Sequence, residues 1–229
     1  MKIVFFIAGL FLITSYNSFS QDLDYSSYSN LLAKYVSATG VVNYTNLKKS
    51  KSDLDHIVLY FADHPIAKSA ARMERLAYWI NVYNANTLKL VIGLYPIKSI
   101  LEINNGKPWD LKIVKSGKEV YSLNQIENEI IRPEFKDARI HFALNCAAVS
   151  CPPLLDKAYT AADLDQILDM RTKSFITSMP NSIAVSKIFE WYKNDFGDVI
   201  NFINKYADIK LAANTRLTYS EYNWSLNLK

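Results

Sequence analysis

Cysteine and histidine are scarce in this chain: two cysteines and three histidines in 229 residues. That leaves one disulfide at most, and the H-x4-C-x4-C spacing of His141, Cys146 and Cys151 matches no standard structural zinc pattern. An excess of either charge is also missing, with 26 Lys and Arg against 22 Asp and Glu. The resulting +4 is small and scattered, which argues against a nucleic-acid partner. The one basic cluster, Lys48-Lys49-Ser50-Lys51, reads as a solvated loop. There is no repeat, no low-complexity segment and no long linker. Apolar runs long enough to span a bilayer are absent too; the run over residues 3–13 is too short.

That short run does have a reading. Lys2 supplies a positive start, the apolar stretch follows, and Ser18-Phe19-Ser20 places small residues before Gln21. This is the pattern of a secretory signal peptide cut near Ser20, with export to the periplasm or the medium. No cysteine stands near the cut, so a lipid-modified N-terminus is not expected. Residues 21–229 remain, 209 in number (229 − 20), the size of one domain. Half of all residues are apolar, enough for a substantial core.

Periodicity predicts helices over residues 25–36 and 54–62, and a long one over 70–94 that is apolar nearly all round. Asn81, Asn84, Asn86 and Lys89 interrupt its apolar run, so it belongs in a protein core and not in a membrane. Residues 109–114 and 119–121 flank Ser116-Gly117, a hairpin signal. Ser122 caps a helix over 123–131. Residues 139–144 alternate and read as a buried strand. Thr160, with Asp163 three residues on, opens a helix over 161–178. Residues 183–185 suggest a short strand, 189–196 and 199–206 helices, and 217–219 and 224–226 extended ends. The expected fold is a helix-rich α+β single domain with a long central buried helix and a small, mostly antiparallel sheet.

Chemistry concentrates in residues 137–153, DARIHFALNCAAVSCPP, where both cysteines follow the predicted strand. Cys146 and Cys151 are either a structural pair in an oxidising compartment or include a reactive thiol, for which Cys146 is the better candidate. His141 is the candidate base. Side chains alternate along a strand, so it meets Cys146 only if the chain turns at Asn145 or Cys146. Glu127 is the candidate orienter, and Arg132 either pairs with it or holds a substrate carboxylate. A zinc site on His141, Cys146 and Cys151 needs a fourth ligand from Glu127, His56 or His64; no metal or other cofactor is expected. Asn81 and Asn84 share one helix face, where their amides either lock loop backbone or line the pocket as oxyanion donors. Asn145 and Cys151 complete the candidate substrate contacts. Trp191, Tyr192 and Trp224 read as core or pocket wall.

Five motifs in order carry a family resemblance: residues 78–85, YWINVYNA; Tyr121-Ser122-Leu123 with Ile126-Glu127; residues 139–146 with Ser150-Cys151-Pro152; residues 186–192 with Asp195-Phe196; and residues 222–227, YNWSLN. With these motifs the chain resembles the domain-of-unknown-function 547 family from about Leu31 to the end, nearly all of residues 21–229. The family's name records no activity. Fusion of some members to glutaredoxin-like domains implies thiol chemistry. The family commonly reads Ile-Glu-His where this chain has Ile126-Glu127-Asn128, so a mechanism needing that imidazole does not carry over.

The functional expectation is cysteine-dependent acyl transfer, or hydrolysis of an amide or thioester, on a small-molecule or peptide substrate. Cys146 is its nucleophile, His141 its base and Glu127 its orienter. Thiol–disulfide exchange by the two cysteines and a non-catalytic binding or scaffold module are the alternatives. No nucleic-acid partner and no stable membrane span after signal removal are expected, and the sequence leaves the oligomeric state open.

Overall fold

Four helices open the fold: α1 (Ser26–Tyr35), α2 (Tyr44–Lys49), α3 (Lys51–Asp63) and α4 (Arg72–Leu94). The computed structural model describes residues 23–179 and 183–229, so the expected signal peptide lies outside the described residues. Fifteen side chains of α4 are buried, as its all-round apolar pattern requires. The Lys48–Lys51 cluster is not a loop: it straddles the junction of α2 and α3, around Ser50.

Two 3-10 segments (Ile100–Gly106 and Pro108–Asp110) lead into the hairpin of β1 (Lys112–Ser116) and β2 (Glu119–Ser122). Ser116 pairs with Glu119, so the turn residues are Gly117 and Lys118. Ser122 then accepts from the Gln125 amide and starts α5 (Leu123–Gln125). The chain passes through a π-helical turn (Ile126–Ile131) into α6 (Arg132–Phe135).

Residues 139–144 are not a strand. A 3-10 turn spans Ala138–Phe142, with the Asp137 side chain accepting from the Arg139 amide at its start. Arg139 also reaches Asp137, Asp165 and Asp169, and so ties the turn to α7 (Leu164–Ser178). The misleading signal was burial on several sides. Ile140, Ala143 and Leu144 face the core around α4, while Phe142 faces a second core built on Phe189, Phe196 and Ile203. Apolar contact on opposite faces imitates the alternation of a strand. At α7, Thr160 does not cap the helix: its hydroxyl bonds Asp163, which holds the N-cap position.

The second core is closed by α8 (Ile188–Trp191), α9 (Lys193–Phe196) and α10 (Val199–Tyr206). Beside them β3 (Ala184–Val185) and β4 (Thr218–Tyr219) pair in parallel. The architecture is the expected α+β domain, rich in helix and poor in strand. Among the described residues, no helix is long and apolar enough to cross a membrane.

Buried asparagines bind the parts together. Asn81 donates from Nδ2 to the Tyr159 carbonyl (2.8 Å) and accepts from the Tyr159 amide (2.9 Å). One turn on, Asn84 donates to the Ala143 carbonyl and accepts from the Asn145 amide, both at 2.9 Å. Each carboxamide thus clasps the backbone of a segment with no helical or strand partner of its own. Gly40 makes a further close approach: with φ +77°, a Cβ there would sit 2.3 Å from Cβ of Pro153. Asn84→Ala leaves two buried backbone groups unpaired, and in urea unfolding should cost about 2–4 kcal/mol. Asn86→Ala removes only an amide bonded to the Val82 carbonyl within the helix, so it should cost clearly less.

A candidate thiol site in a cleft between two cores

The seam between the two cores opens into a cleft of about 280 Å³, close to the roughly 300–1,000 Å³ of small-ligand sites. Cys146, His141 and Glu127 line it together with Tyr83, Tyr192 and Tyr222. Trp109, Trp191 and Trp224 form one wall.

The cysteine loop is shaped by local bonds. Past the Asn84 clasp, Asn145 donates to the Pro152 carbonyl (2.8 Å) and accepts from the Ala147 amide (2.9 Å). Ala147 is held at φ +61°, a left-handed conformation costing roughly 1–2 kcal/mol for a residue with a Cβ. The C-terminal segment braces the loop, since the Ala147 carbonyl accepts from Asn227 and the Val149 amide donates to the Ser225 carbonyl. The chain thus turns sharply at 145–147, and His141 and Cys146 line the same cleft.

Both thiols are free. The Cys146 amide donates to Cys151 Sγ (2.8 Å), and Cys146 Sγ lies 3.2 Å from the Tyr222 hydroxyl. Burial alone raises the pKa of Cys146. Hydrogen bonds from the Cys151 thiol, the Tyr222 hydroxyl and the Ala148 amide outweigh it, and the thiol lies below its ordinary value. Burial, then the hydrogen bond to the Cys146 sulfur, pushes Cys151 well above its own. The pair is therefore unequal: Cys146 is the more acidic of the two thiols and Cys151 the less.

His141 is anchored by Asp195, not by Glu127. Its Nε2 lies 2.7 Å from Asp195 Oδ2, while Nδ1 is 4.0 Å from Glu127 Oε1, beyond hydrogen-bond reach. The ring stacks on Tyr192 with centroids 3.8 Å apart. Among the described residues, no hydrogen bond joins His141 to Cys146. Asp195 is gripped in turn by Arg132, with Nε at 2.6 Å from Oδ2 and Nη2 at 3.0 Å from Oδ1. Hydrogen bonds from His141 and then Arg132 overcome desolvation and hold the Asp195 carboxyl well below the usual carboxylate range. Arg132 is thereby committed to Asp195 and to Asn128.

Glu127 is buried on the π-helical turn, accepting from the Tyr83 hydroxyl (3.3 Å) and from Tyr192. Asn81, Asn84 and Asn145 are buried as well, their carboxamides engaged with backbone. His56 and His64 belong to α3 and its end; His56 lines a separate hollow beside α1, and His64 bonds the Tyr60 carbonyl. Among the described residues no group of three or more His, Cys, Asp and Glu could hold a metal ion.

Residue-by-residue reasoning passed over Asp195 and Tyr222. Asp195 is 54 positions from His141, and nothing in their spacing joins them. The available signal was motif membership, since both lie in short motifs shared with the family.

Fold and cleft together define a helix-rich α+β domain with a paired-thiol pocket. Residues 67–176 match the model of the family described as protein of unknown function, DUF547, and the match supports assignment of the chain to that family. No curated protein and no solved structure matches the chain. The matched segment runs to within two residues of the end of α7, so Asp195, Trp191, Tyr192 and Tyr222 are contributed from beyond it.

Asp195→Asn weakens the charge-assisted bonds to both Arg132 and His141, and is expected to cost about 2 kcal/mol at neutral pH. A carboxyl depressed in the folded state stabilises above its unfolded pKa, about 3.9, and that contribution fades as pH falls toward the folded value. Urea unfolding from pH 7 downward should therefore show the wild-type advantage over Asp195→Asn shrinking below about pH 4.

Proposed function

We propose that the cleft is the active site of a cysteine-dependent acyltransferase or hydrolase acting on an amide or thioester. The observation that carries this reading is the hydrogen-bonded Cys146 sulfur, which lines the same cleft as an anchored imidazole. With Nε2–H donated to Asp195, His141 has Nδ1, 4.0 Å from Glu127 Oε1, as the nitrogen that would exchange a proton with substrate.

In the first half-reaction the thiolate attacks the carbonyl carbon and a carbon–sulfur bond forms. Tyr222, whose hydroxyl lies 3.2 Å from the sulfur, is the donor placed for the oxyanion. The carbon–nitrogen or carbon–sulfur bond to the leaving group then breaks, and the leaving group takes the proton from Nδ1. In the second, water or another acceptor gives its proton to Nδ1 and attacks the acyl-cysteine. Collapse expels the thiolate and restores the starting charges. The imidazole lies between two carboxylates, Asp195 at Nε2 and Glu127 at Nδ1. Asn81 and Asn84 act here as braces, since their amides are spent on the backbone. The substrate is a small molecule or peptide, and residues 1–20 would direct the chain out of the cytoplasm.

Thiol–disulfide exchange is the second reading, favoured by the Cys146–Cys151 contact. The two separate at Cys151→Ser, whose hydroxyl still donates to Cys146. Acyl transfer should survive that change and exchange should not.

Cys146→Ser should abolish turnover of an amide or thioester substrate while leaving the unfolding midpoint near wild type; retained turnover refutes the assignment. The pH at which iodoacetamide labelling of Cys146 is half-maximal should lie below that of free cysteine, and should rise in Tyr222→Phe.

A further inference from the structure

The charges around the cleft do not balance. Arg132 is bound to Asp195, and Lys107, which is exposed, and Asp110 line the cleft with one charge of each sign. Deeper in, the Cys146 sulfur and Glu127 are two acidic groups with His141 as the nearby base. A charged imidazole offsets one of the two, the thiolate or Glu127, whose Oε1 lies 4.0 Å from Nδ1, so one negative charge is left over; the hydrogen-bond donors to Glu127 itself are tyrosine hydroxyls. A buried negative charge left over in this way is costly, and a cation entering the cleft removes that cost.

The indole wall of the same cleft adds a second requirement. Trp191 is 46% exposed although it stacks on Trp224 at 5.8 Å and touches Tyr222 at 4.8 Å. Trp109 continues the surface, 5.6 Å from Trp224. These rings touch one another, so they form a continuous stacking face and enclose no cage. A face of this kind suits an apolar or aromatic body and attracts a neighbouring cation.

We infer that the cleft takes an aminoacyl group, its free α-ammonium directed to Glu127 and its side chain to the indole wall. This rests on the acyl-transfer reading, because it names the acyl group that Cys146 would accept. An α-ammonium stands two bonds from the carbonyl carbon, so one small ligand can engage the carboxylate and present its carbonyl to the sulfur.

The test is binding of L-phenylalaninamide against its N-acetyl derivative, by calorimetry at pH 6.5 on wild type and on Cys146→Ser. The free amine should bind both proteins at least tenfold more tightly than the acetylated form, and Glu127→Gln should bring the two ligands within about twofold. Equal binding of the two ligands, or binding of neither, overturns the inference; should Glu127→Gln fail to fold, the wild-type comparison decides alone. Since Cys146→Ser binds without reacting, the result is separate from catalysis. Selective binding with no turnover of aminoacyl thioesters by wild type would remove the acyl-transfer reading and leave the ammonium site standing.

Discussion

A carboxamide buried in an apolar helix must find partners, and in this protein that requirement organises the site. Asn81 and Asn84 lie on one face of α4, where unpaired amides would cost several kcal/mol. Each finds its partners in the backbone of a distant segment, Asn81 at residue 159 and Asn84 at residues 143 and 145. The second clasp fixes where the 3-10 turn ends and the cysteine loop begins. From that fixed point follow the Asn145 bonds, the left-handed Ala147 and the position of the Cys146 sulfur beside Tyr222. The strain at Ala147 is tolerated because bonds from both sides over-determine it.

The electrostatics of the cleft follow from the same construction. Arg132, Asp195 and His141 form a chain in which each member satisfies the next, so the imidazole is oriented by a carboxylate that is itself held in place. Cys151 and Tyr222 do for the sulfur what Arg132 does for Asp195. Glu127 accepts hydrogen bonds from tyrosine hydroxyls and lies 4.0 Å from His141 Nδ1, and it is the carboxylate to which the inferred ammonium group would be directed. The parts come from α4, the π-helical turn, the cysteine loop, α8–α9 and the C-terminal segment, so the site exists only when both cores are formed.

Much of this was legible in the sequence where the signal was local and strong. The long apolar helix, the hairpin, the Ser122 cap and the α+β class follow from periodicity and turn chemistry. Residues 139–144 were misread because burial toward two cores produces the alternation that a half-buried strand produces. The structure's Thr160–Asp163 bond differs from a capping box by one hydrogen-bond partner, which sequence spacing does not distinguish. Cys146, His141 and Glu127 stood out as chemically distinctive residues near one motif, and the three line one cleft. The link from His141 to Asp195 crosses 54 residues and is set by how α9 packs on the second core, and no local rule encodes that.

If the Asn84 clasp positions the thiol, the ionisation of Cys146 must depend on an amide that does not touch its sulfur. The direct measurement is the ultraviolet titration of the Cys146 thiolate in folded Asn84→Ala, with the Cys146→Ser signal subtracted. The account predicts a pKa moved up from wild type toward that of an ordinary thiol. A titration identical to wild type in a folded variant would contradict it.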